Sequence, residues 1–353
     1  MAMAWHLLGH PELLESLTRG ISARTLSHAY LLVGPPDVGK RSLAVELAAA
    51  LNCQSEEKPC GTCTSCRRIL QGKHPDIHIV EPRREATGAE ERVSREIVID
   101  QIRELQRLAA LQPFEGYCRA FIIDGADRMR VEAANCLLKT LEEPAESVVL
   151  LLLAAREDLV LPTVKSRCQR IELKPLPTSL IASALRDSTA LTEDEVDLLS
   201  RLANGRLGWA MRAAKDTSVL ADRAELLQQL EELLASGIPE RLSFAASMEK
   251  RFSKNRQGAI DLLDHWAGWW RDLLLTRAGC SDLVANVDRA ANLAELAAKV
   301  DLGQVHGFLK RLELTTTQIE HNVNLRLALE TLLIEMPSTG TGARSAVVAK
   351  GES

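Results

Sequence analysis

The sequence predicts an α/β domain with a parallel sheet, followed by regions that are entirely helical. Short, continuous apolar runs alternate with amphipathic helical segments over the first half of the chain, a pattern typical of parallel strands that are covered on both faces. A glycine-rich turn follows the first of these runs, at the place where open α/β sheets bind their ligands. After the segment KPLP (174–177) the strand signals end and only helical periodicity continues.

Five apolar runs are the predicted strands of the sheet. They are AYLLV (29–33), DIHIV (76–80), RAFIID (119–124), SVVLLLLAA (147–155) and QRIEL (169–173). The segments RSLAVELAAALN and VEAANCLLKTLEEP between them predict helices, and Pro144 ends the second helix. The segment REIVIDQIRELQRLAALQP predicts a further short strand that passes into a helix ending at Pro113. The charged segment EPRREATGAEERVSRE (81–96) predicts a solvated loop or excursion.

A length of 353 residues indicates two or three domains. We predict an α/β domain at 1–174 with a cysteine-rich module at 53–66, a small helical domain at 175–217, a larger helical domain at 218–336 and a disordered tail at 337–353. In the small domain, Thr192 and Glu195 have the spacing of a capping box at a helix N-terminus, and Gly205 predicts a helix end.

The composition excludes several classes of protein. A formal net charge of -5 and a hydrophobic fraction of 46% are typical of a soluble globular protein and not of a strongly basic nucleic-acid binder. The N-terminus lacks the basic flank and apolar run of a secretory signal, and no apolar stretch is long enough to span a membrane. We therefore expect a cytoplasmic protein with no membrane partner.

Several side chains are predicted to be structural. Trp266, Trp269 and Trp270 have i, i+3, i+4 spacing, so their indoles share one helix face and predict a packed core. His28 has no evident metal or nucleophile partner and is given no catalytic role. The isolated cysteines, predicted to be small buried hydrophobes, are Cys118, Cys136, Cys168 and Cys280.

The segment GPPDVGKRS (34–42) contains most of a phosphate-binding loop. Gly34, Gly39 and Lys40 match the pattern of glycine, four residues, glycine and lysine that surrounds nucleotide phosphates with backbone N–H groups and positive charge. The next position belongs to the serine or threonine that ligates magnesium, and here it is Arg41. Either the arginine fills the place of the metal, or Ser42 takes over as the ligand.

The acidic residues that a nucleotide-hydrolysing site needs are incomplete. Asp124, at the end of a predicted strand, suits the magnesium shell. The following position, where a carboxylate would activate water, is Gly125. Asp127 is predicted to lie at the start of the next helix, where a carboxylate interacts well with the helix dipole.

Four clustered cysteines predict a metal site. Cys53, Cys60, Cys63 and Cys66 lie within fourteen residues, in CQSEEKPCGTCTSC, and Gly61 permits a tight turn between two of them. Cysteine pairs separated by two residues place their thiolates on one tetrahedral ion, so we expect structural zinc. An iron–sulfur cluster remains the alternative metal group.

Several segments resemble, in the same order, the bacterial DNA polymerase III clamp-loader subunits of the AAA+ superfamily. The segments are SHAYLLVGPPDVGK, IDQIRELQ, IIDGADRM, AANCLLKTLEEPAE, LPTVKSRCQRI and NVNLRLALE. The resemblance covers most of residues 5–336 and implies an AAA+ domain with a zinc module, a small helical lid and a helical collar for oligomerisation. Two branches compete, namely the gamma/tau subunit, which hydrolyses ATP, and the delta-prime subunit, which often does not.

Departures from the hydrolysing branch favour delta-prime. Besides Arg41 and Gly125, the chain has Ala154 and Ala155 where the hydrolysing members carry a polar sensor. Their sensor arginine would fall near Gly208, with Arg206 and Arg212 close by as alternatives. Losing a metal ligand and a general base together removes several kcal/mol of transition-state stabilisation. Hydrolysis of ATP with Mg²⁺ by this chain is therefore not expected, while nucleotide binding by Gly34, Gly39, Lys40 and Asp124 remains in doubt.

The resemblance gives Arg167 a role on another subunit. In this family the triplet Ser166, Arg167, Cys168 carries an arginine finger that reaches the ATP of the neighbouring subunit. A planar guanidinium suits the charge that develops on a transferred phosphoryl group. The implied partners are gamma/tau and delta subunits in a hetero-oligomeric ring, with the sliding clamp and primer-template DNA reached through that complex. The rival interpretations are an active gamma/tau-type ATPase and a zinc-module nucleic-acid binder.

Overall fold

The structure is a computed structural model, and it describes residues 5–82, 84–87, 90–93, 96–216, 218–253, 256–321 and 323–337. The chain divides into two compact units. The first extends to Ala184 and also includes Ala203–Ala210, while the second comprises Leu185–Leu202 and the chain from Met211 onward. The predicted domain boundaries stay predictions. The predicted tail lies outside the described residues, apart from Pro337.

The described residues contain seven strands and fifteen α-helices. The strands are β1 (Ala29–Val33), β2 (Ile77–Val80), β3 (Arg84–Thr87), β4 (Glu90–Val93), β5 (Arg119–Asp124), β6 (Val148–Ala154) and β7 (Gln169–Glu172). The helices of the first part of the chain are α1 (Pro11–Ala23), α2 (Lys40–Leu51), α3 (Thr64–Leu70), α4 (Ile99–Ala109), α5 (Val131–Glu142) and α6 (Pro162–Lys165). Those that follow are α7 (Thr178–Ser188), α8 (Glu193–Leu202), α9 (Leu207–Ala213), α10 (Ser218–Ala235), α11 (Ile238–Phe252), α12 (Arg256–Arg277), α13 (Ala290–Lys299), α14 (Leu302–Glu320) and α15 (Leu325–Glu335).

Five strands form one parallel sheet in the order β2-β5-β6-β1-β7. Every residue of β1 is buried, which explains why its sequence is apolar without alternation. Val33 pairs with Ala154 and Asp124 with Leu153, so the carboxyl ends of β1, β5 and β6 meet at one edge of the sheet. The predicted parallel α/β domain is confirmed, and its sheet edge brings the nucleotide loop and the acidic strand end together.

The charged segment 81–96 was predicted to be a solvated loop or an excursion, and the prediction of a loop is wrong for two parts of it. Strands β3 and β4 pair antiparallel, with Arg84 opposite Val93 and Thr87 opposite Glu90. The backbone hydrogen bonds of a two-stranded ladder form whatever the charge of the side chains, so the charge pattern alone did not reveal it. The strand predicted before α4 is reduced to a single bridge between Ile97 and Met129, because the helix begins at Ile99.

The small helical segment begins as its sequence predicts. The backbone N–H of Thr192 donates to Glu195 Oε2 at 2.8 Å, and the N–H of Glu195 donates to Thr192 Oγ1 at 3.4 Å. This reciprocal pair is the capping box expected at the start of α8. Gly205 has a φ of +81°, in the left-handed region that commonly ends helices.

Helices α10 to α15 share one hydrophobic core. Trp266, Trp269 and Trp270 are completely buried in it, as predicted, and the ring of Trp270 lies 4.6 Å from that of Phe308. Of the isolated cysteines, Cys118 is buried, Cys136 and Cys168 are partly buried, and Cys280 is exposed, so the prediction of burial is wrong for Cys280. Within the described ranges, no helix has both the length and the apolar character needed to cross a membrane.

Candidate nucleotide site and arginine finger

The phosphate-loop residues lie between β1 and α2. Gly34 has a φ of +148°, and a Cβ there would lie 2.3 Å from the carbonyl oxygen of Leu173. Gly39 has a φ of +109° and precedes the first residue of α2. Both positions therefore require glycine, and the helix start faces the loop as it does in phosphate-binding loops.

Lys40 is bound to its own loop. Its Nζ donates to the carbonyl oxygens of Gly34 at 2.6 Å and Pro35 at 2.7 Å. Burial lowers the pKa of Lys40, against the opposing effect of the nearby carboxylates of Asp127 and Asp124. The ammonium group thus stands where it could meet a phosphate, but two carbonyl groups already accept its hydrogen bonds.

Arg41 forms ion pairs with two carboxylates. Its Nη1 lies 3.0 Å from Glu81 Oε2 and 3.1 Å from Asp124 Oδ2, with about half of the arginine side chain exposed. Asp124 is the carboxylate that the sequence assigned to the magnesium shell. The structure therefore brings Arg41 and Asp124 together. The carboxylate that a metal ion would need forms an ion pair with the guanidinium instead. Sequence reasoning missed Glu81, although its place directly after β2, at the same sheet edge, could have indicated it.

The segment after Asp124 is a short 3-10 turn that carries Asp127. Gly125 has a φ of +101° and leads into a three-residue 3-10 helix, Ala126–Arg128. Asp127 Oδ2 accepts hydrogen bonds from the backbone N–H of Ala155 at 3.1 Å and of Arg156 at 3.0 Å. Asp127 thus lies in the first turn of the next helix, as predicted, but that helix is a short 3-10 turn and the carboxylate contacts the end of β6.

A backbone contact joins the phosphate loop to Gly208, near which the resemblance to the clamp-loader subunits would place a sensor arginine. The N–H of Gly208, at the start of α9, donates to the carbonyl oxygen of Asp37 in the phosphate loop at 2.9 Å. A Cβ at position 208 would lie 3.0 Å from the same oxygen. The nearby Arg206 uses its Nε to bond the carbonyl of Ala203. Gly208 thus touches the loop without offering it a charge.

Arg167 lies just beyond the short helix α6. Its Nη1 donates to the carbonyl oxygen of Thr163 at 2.9 Å, and its Nη2 lies 2.5 Å from Glu142 Oε1. About one third of its side chain is exposed. The guanidinium is therefore held by its own domain while part of it faces outward.

The four clustered cysteines converge. The Sγ atoms of Cys53, Cys60, Cys63 and Cys66 all lie within 4.8 Å of one another. A zinc ion with bonds of about 2.3 Å separates its four sulfurs by about 3.8 Å, so this group fits a single tetrahedral ion. An iron–sulfur cluster fits less well, because the cysteine sulfurs that hold such a cluster bind different iron atoms and lie further apart.

Hydrogen bonds around the cysteines favour thiolates at two of the four positions. The N–H of Cys63 donates to Cys60 Sγ at 3.3 Å, and the N–H of Cys66 donates to Cys63 Sγ at 3.4 Å. Although burial raises the pKa of Cys60, hydrogen bonds led by that from Cys63 lower it to about 6. Burial raises the pKa of Cys53 and Cys66. A bound cation would have to compensate the negative charge of their thiolates. The cluster can therefore hold a metal ion.

Two family models match this chain. The model described as "DNA polymerase III, delta subunit" matches residues 9–177, and the model described as "DNA polymerase III, delta subunit, C terminal" matches residues 219–337. The chain belongs to the DNA polymerase III delta subunit family. The resemblance of the sequence to DNA polymerase III subunits is thereby confirmed.

Curated relatives of this delta-family chain come from both competing branches. DNA polymerase III subunit delta' of Pseudomonas aeruginosa is 35% identical over 219 residues, which are 60% of this chain and 63% of the relative. Subunit delta' of Bacillus subtilis is 27% identical over 95% of this chain and 98% of the relative. Subunit tau of Escherichia coli is 27% identical over 93% of this chain but 49% of the relative. The chain thus spans less than two thirds of the Pseudomonas relative and about half of tau.

Solved structures with a distant likeness to this chain include two bacterial proteins. A DNA polymerase III gamma subunit-related protein of Thermotoga maritima has a TM-score of 0.40 and 20% identity, covering 91% of this chain and 98% of that one. The Bacillus subtilis clamp loader delta protein has a TM-score of 0.34 and 15% identity, with the same coverage of 91% and 98%.

Sequence reasoning also missed a completely buried carboxylate of the delta-family chain. Asp76, completely buried before β2, accepts hydrogen bonds from the backbone N–H of Phe114 at 2.6 Å, Glu115 at 2.9 Å and Gly116 at 2.8 Å. Arg119 lies 3.2 Å from it. This carboxylate fixes the loop between α4 and β5, and the ring of Phe114 on that loop is 80% exposed.

Proposed function

We propose that this chain is the delta-prime subunit of a DNA polymerase III clamp loader. It does not hydrolyse ATP itself, and it completes the active site of a neighbouring ATPase subunit with Arg167. The observation that carries the proposal is the ion pair between Arg41 and Asp124. A chain whose metal carboxylate is bound to its own arginine lacks the first requirement of ATP hydrolysis.

Two further features of the chain's own site support the loss of hydrolysis. Gly125 offers no side chain to activate water, and Gly208, near which the sensor arginine would fall, offers no charge. Each deficit removes a different part of phosphoryl transfer, namely the metal, the base and the electrostatic stabilisation of the transition state. A single drifted position would leave the other two parts in place.

Arg167 supports a role in a neighbour's site. A guanidinium can donate two parallel hydrogen bonds to phosphate oxygens and stays charged at any physiological pH. Supplied in trans to a nucleotide site, such an arginine raises hydrolysis by orders of magnitude. The partners that this role requires are a gamma/tau-type ATPase and a delta subunit in one ring, and the complex acts on the sliding clamp and primer-template DNA.

The cysteine cluster supports the fold and not the chemistry. Cys53, Cys60, Cys63 and Cys66 would hold zinc with all four ligand positions filled by protein, which leaves no open position for water or substrate. Zinc in such a site stabilises the module that carries α3. We assign it no part in ATP hydrolysis.

Reconstitution with the ATPase and delta subunits tests the proposal. We expect Arg167→Ala to lower DNA-stimulated ATP hydrolysis by the complex, while Arg170→Ala leaves it unchanged. Arg170 is a matched control because it is an exposed arginine on the adjacent strand, paired with Glu157 and Glu172. Wild-type hydrolysis by the Arg167→Ala complex would refute the finger. Sustained Mg²⁺-dependent turnover by the isolated chain would favour the gamma/tau-type alternative.

A further inference from the structure

The guanidinium of Arg167 is held in one orientation by three contacts. Besides Thr163 and Glu142, its Nη1 also donates to Ser166 Oγ at 3.3 Å. These contacts engage Nη1 and Nη2, whereas the guanidinium has five N–H donors in a planar fork. Donors on the remaining edge are therefore available to a phosphate group while the side chain stays anchored.

Glu142, the acidic anchor, stands at the last residue of α5, where a helix end is easily frayed. The preceding residue, Leu141, has a carbonyl group in the last turn, which has no intrahelical partner. His28 supplies one, since its Nε2 lies 3.0 Å from the Leu141 oxygen and must carry the proton that the carbonyl accepts. The imidazole thus fixes the end of α5 next to Glu142.

His28 is itself fixed by the sheet. It directly precedes β1, and its carbonyl oxygen accepts a hydrogen bond from the N–H of Leu150 in β6 at 2.8 Å. A continuous series of contacts therefore runs from the centre of the sheet through His28 and the end of α5 to Glu142 and Arg167. Because sheet strands are rigid, these contacts hold Arg167 in a defined position although it lies on a short surface segment.

We propose that Glu142 and His28 are positioning residues for the arginine finger, an inference that rests on the proposed function of Arg167. The ion pair between Glu142 and Arg167 is half-exposed, and such pairs contribute little to folding stability. Its effect is instead on orientation, because a long side chain that is already held loses less freedom when it meets a phosphate. Because a finger acts mainly in the transition state, the positioning residues affect kcat more than KM.

Kinetic assays of the reconstituted complex test this inference. We expect Glu142→Ala and His28→Ala to lower the kcat of DNA-stimulated ATP hydrolysis toward the Arg167→Ala value, with KM for ATP unchanged. Glu142→Asp, which keeps the carboxylate, should recover part of the rate. His28→Gln keeps a side-chain N–H near the position of Nε2 and should also recover part of the rate. The glutamine variant therefore tests the role of His28 even if His28→Ala fails to fold. The matched control is Glu143→Ala, which removes the adjacent exposed carboxylate and should behave as wild type.

Double variants separate failure of this inference from failure of the proposed function. In an Arg167→Ala background, Glu142→Ala should cause no further loss of kcat, because its effect passes through the arginine. If Arg167→Ala alone has no effect, the proposed function fails. If Arg167→Ala lowers kcat but Glu142→Ala matches Glu143→Ala, the positioning role fails and the finger stands. An equal loss from Glu142→Ala with and without Arg167 would also overturn the positioning role.

Discussion

Replacing Arg41 with threonine removes the guanidinium from the nucleotide site and installs the hydroxyl that phosphate-binding loops use as a magnesium ligand. The change releases both carboxylates that Arg41 contacts, Glu81 at 3.0 Å and Asp124 at 3.1 Å. We expect Arg41→Thr to bind ATP with a dependence on Mg²⁺ that the wild-type chain lacks.

The size of this effect follows from charge separation. A divalent ion on Asp124 would lie about 4 Å from the arginine charge, and Coulomb's law gives a repulsion of about 2 kcal/mol even in a medium with the dielectric constant of water. This free energy corresponds to about a thirtyfold change in affinity. The added hydroxyl ligand acts in the same direction, so about thirtyfold is a lower bound.

The assay titrates the protein with a fluorescent ATP analogue, once in the presence of Mg²⁺ and once in the presence of EDTA. The ratio of the two dissociation constants should be near one for wild type and about thirty for Arg41→Thr. Arg41→Lys retains the positive charge and should behave as wild type. Arg103→Thr, which removes another exposed arginine from an ion pair with Asp100, controls for a general change in surface charge. A wild-type chain that already binds ATP as Mg²⁺-dependently as Arg41→Thr would refute the reasoning.

Two further predictions concern stability. Elemental analysis should find about one zinc per chain. Cys66→Ser should lose the metal and lower Tm by about 5 °C or more, whereas Cys280→Ser, at an exposed position, should keep the metal and the wild-type Tm. Equal metal content in the two variants would contradict a four-cysteine site. Burial raises the pKa of Asp76, but hydrogen bonds from the backbone N–H of Phe114 and its two neighbours lower it to about 2, below the ordinary value. The ionised carboxylate therefore contributes about 2 kcal/mol to the free energy of unfolding above about pH 4, and this contribution is lost as the pH falls toward 2. Asp76→Asn should destabilise the protein at pH 7. In denaturant titrations, the variant should also lose less stability than wild type between pH 4 and 2. An unchanged pH slope in Asp76→Asn would show that another group titrates there.

The strands were predictable because burial on both faces leaves a continuous apolar signal. All five residues of β1 are buried, and six of the seven residues of β6 are. The glycine positions of the phosphate loop were equally readable, since the backbone demands no side chain at Gly34 and Gly39. The paired strands within 81–96 were not, because their charged residues carry no apolar alternation.

The contacts of the site were less predictable than its residues. Arg41 reaches Glu81 and Asp124, which are 40 and 83 positions away in the sequence, only because β2 and β5 are neighbours in the sheet. Strand order is a property of the whole domain, and no local pattern encodes it. The same holds for Glu142 and His28, whose sequence surroundings are those of an ordinary helix end and an ordinary strand start.

We expect that restoring the metal ligand at Arg41 would not restore ATP hydrolysis, because the second deficit that we propose lies in the backbone. A Cβ at Gly125 would have room, since its nearest neighbour, Arg128 Nε, would be 3.6 Å away. The φ of +101° is nevertheless one that residues with side chains rarely adopt, and holding a glutamate there costs about 1–3 kcal/mol. Relaxing that strain would move the turn that places Asp127 against the end of β6. Loss of the water-activating carboxylate is therefore supported by the conformation of the chain, whereas Arg167 keeps its anchors on Thr163 and Glu142 independently of that turn.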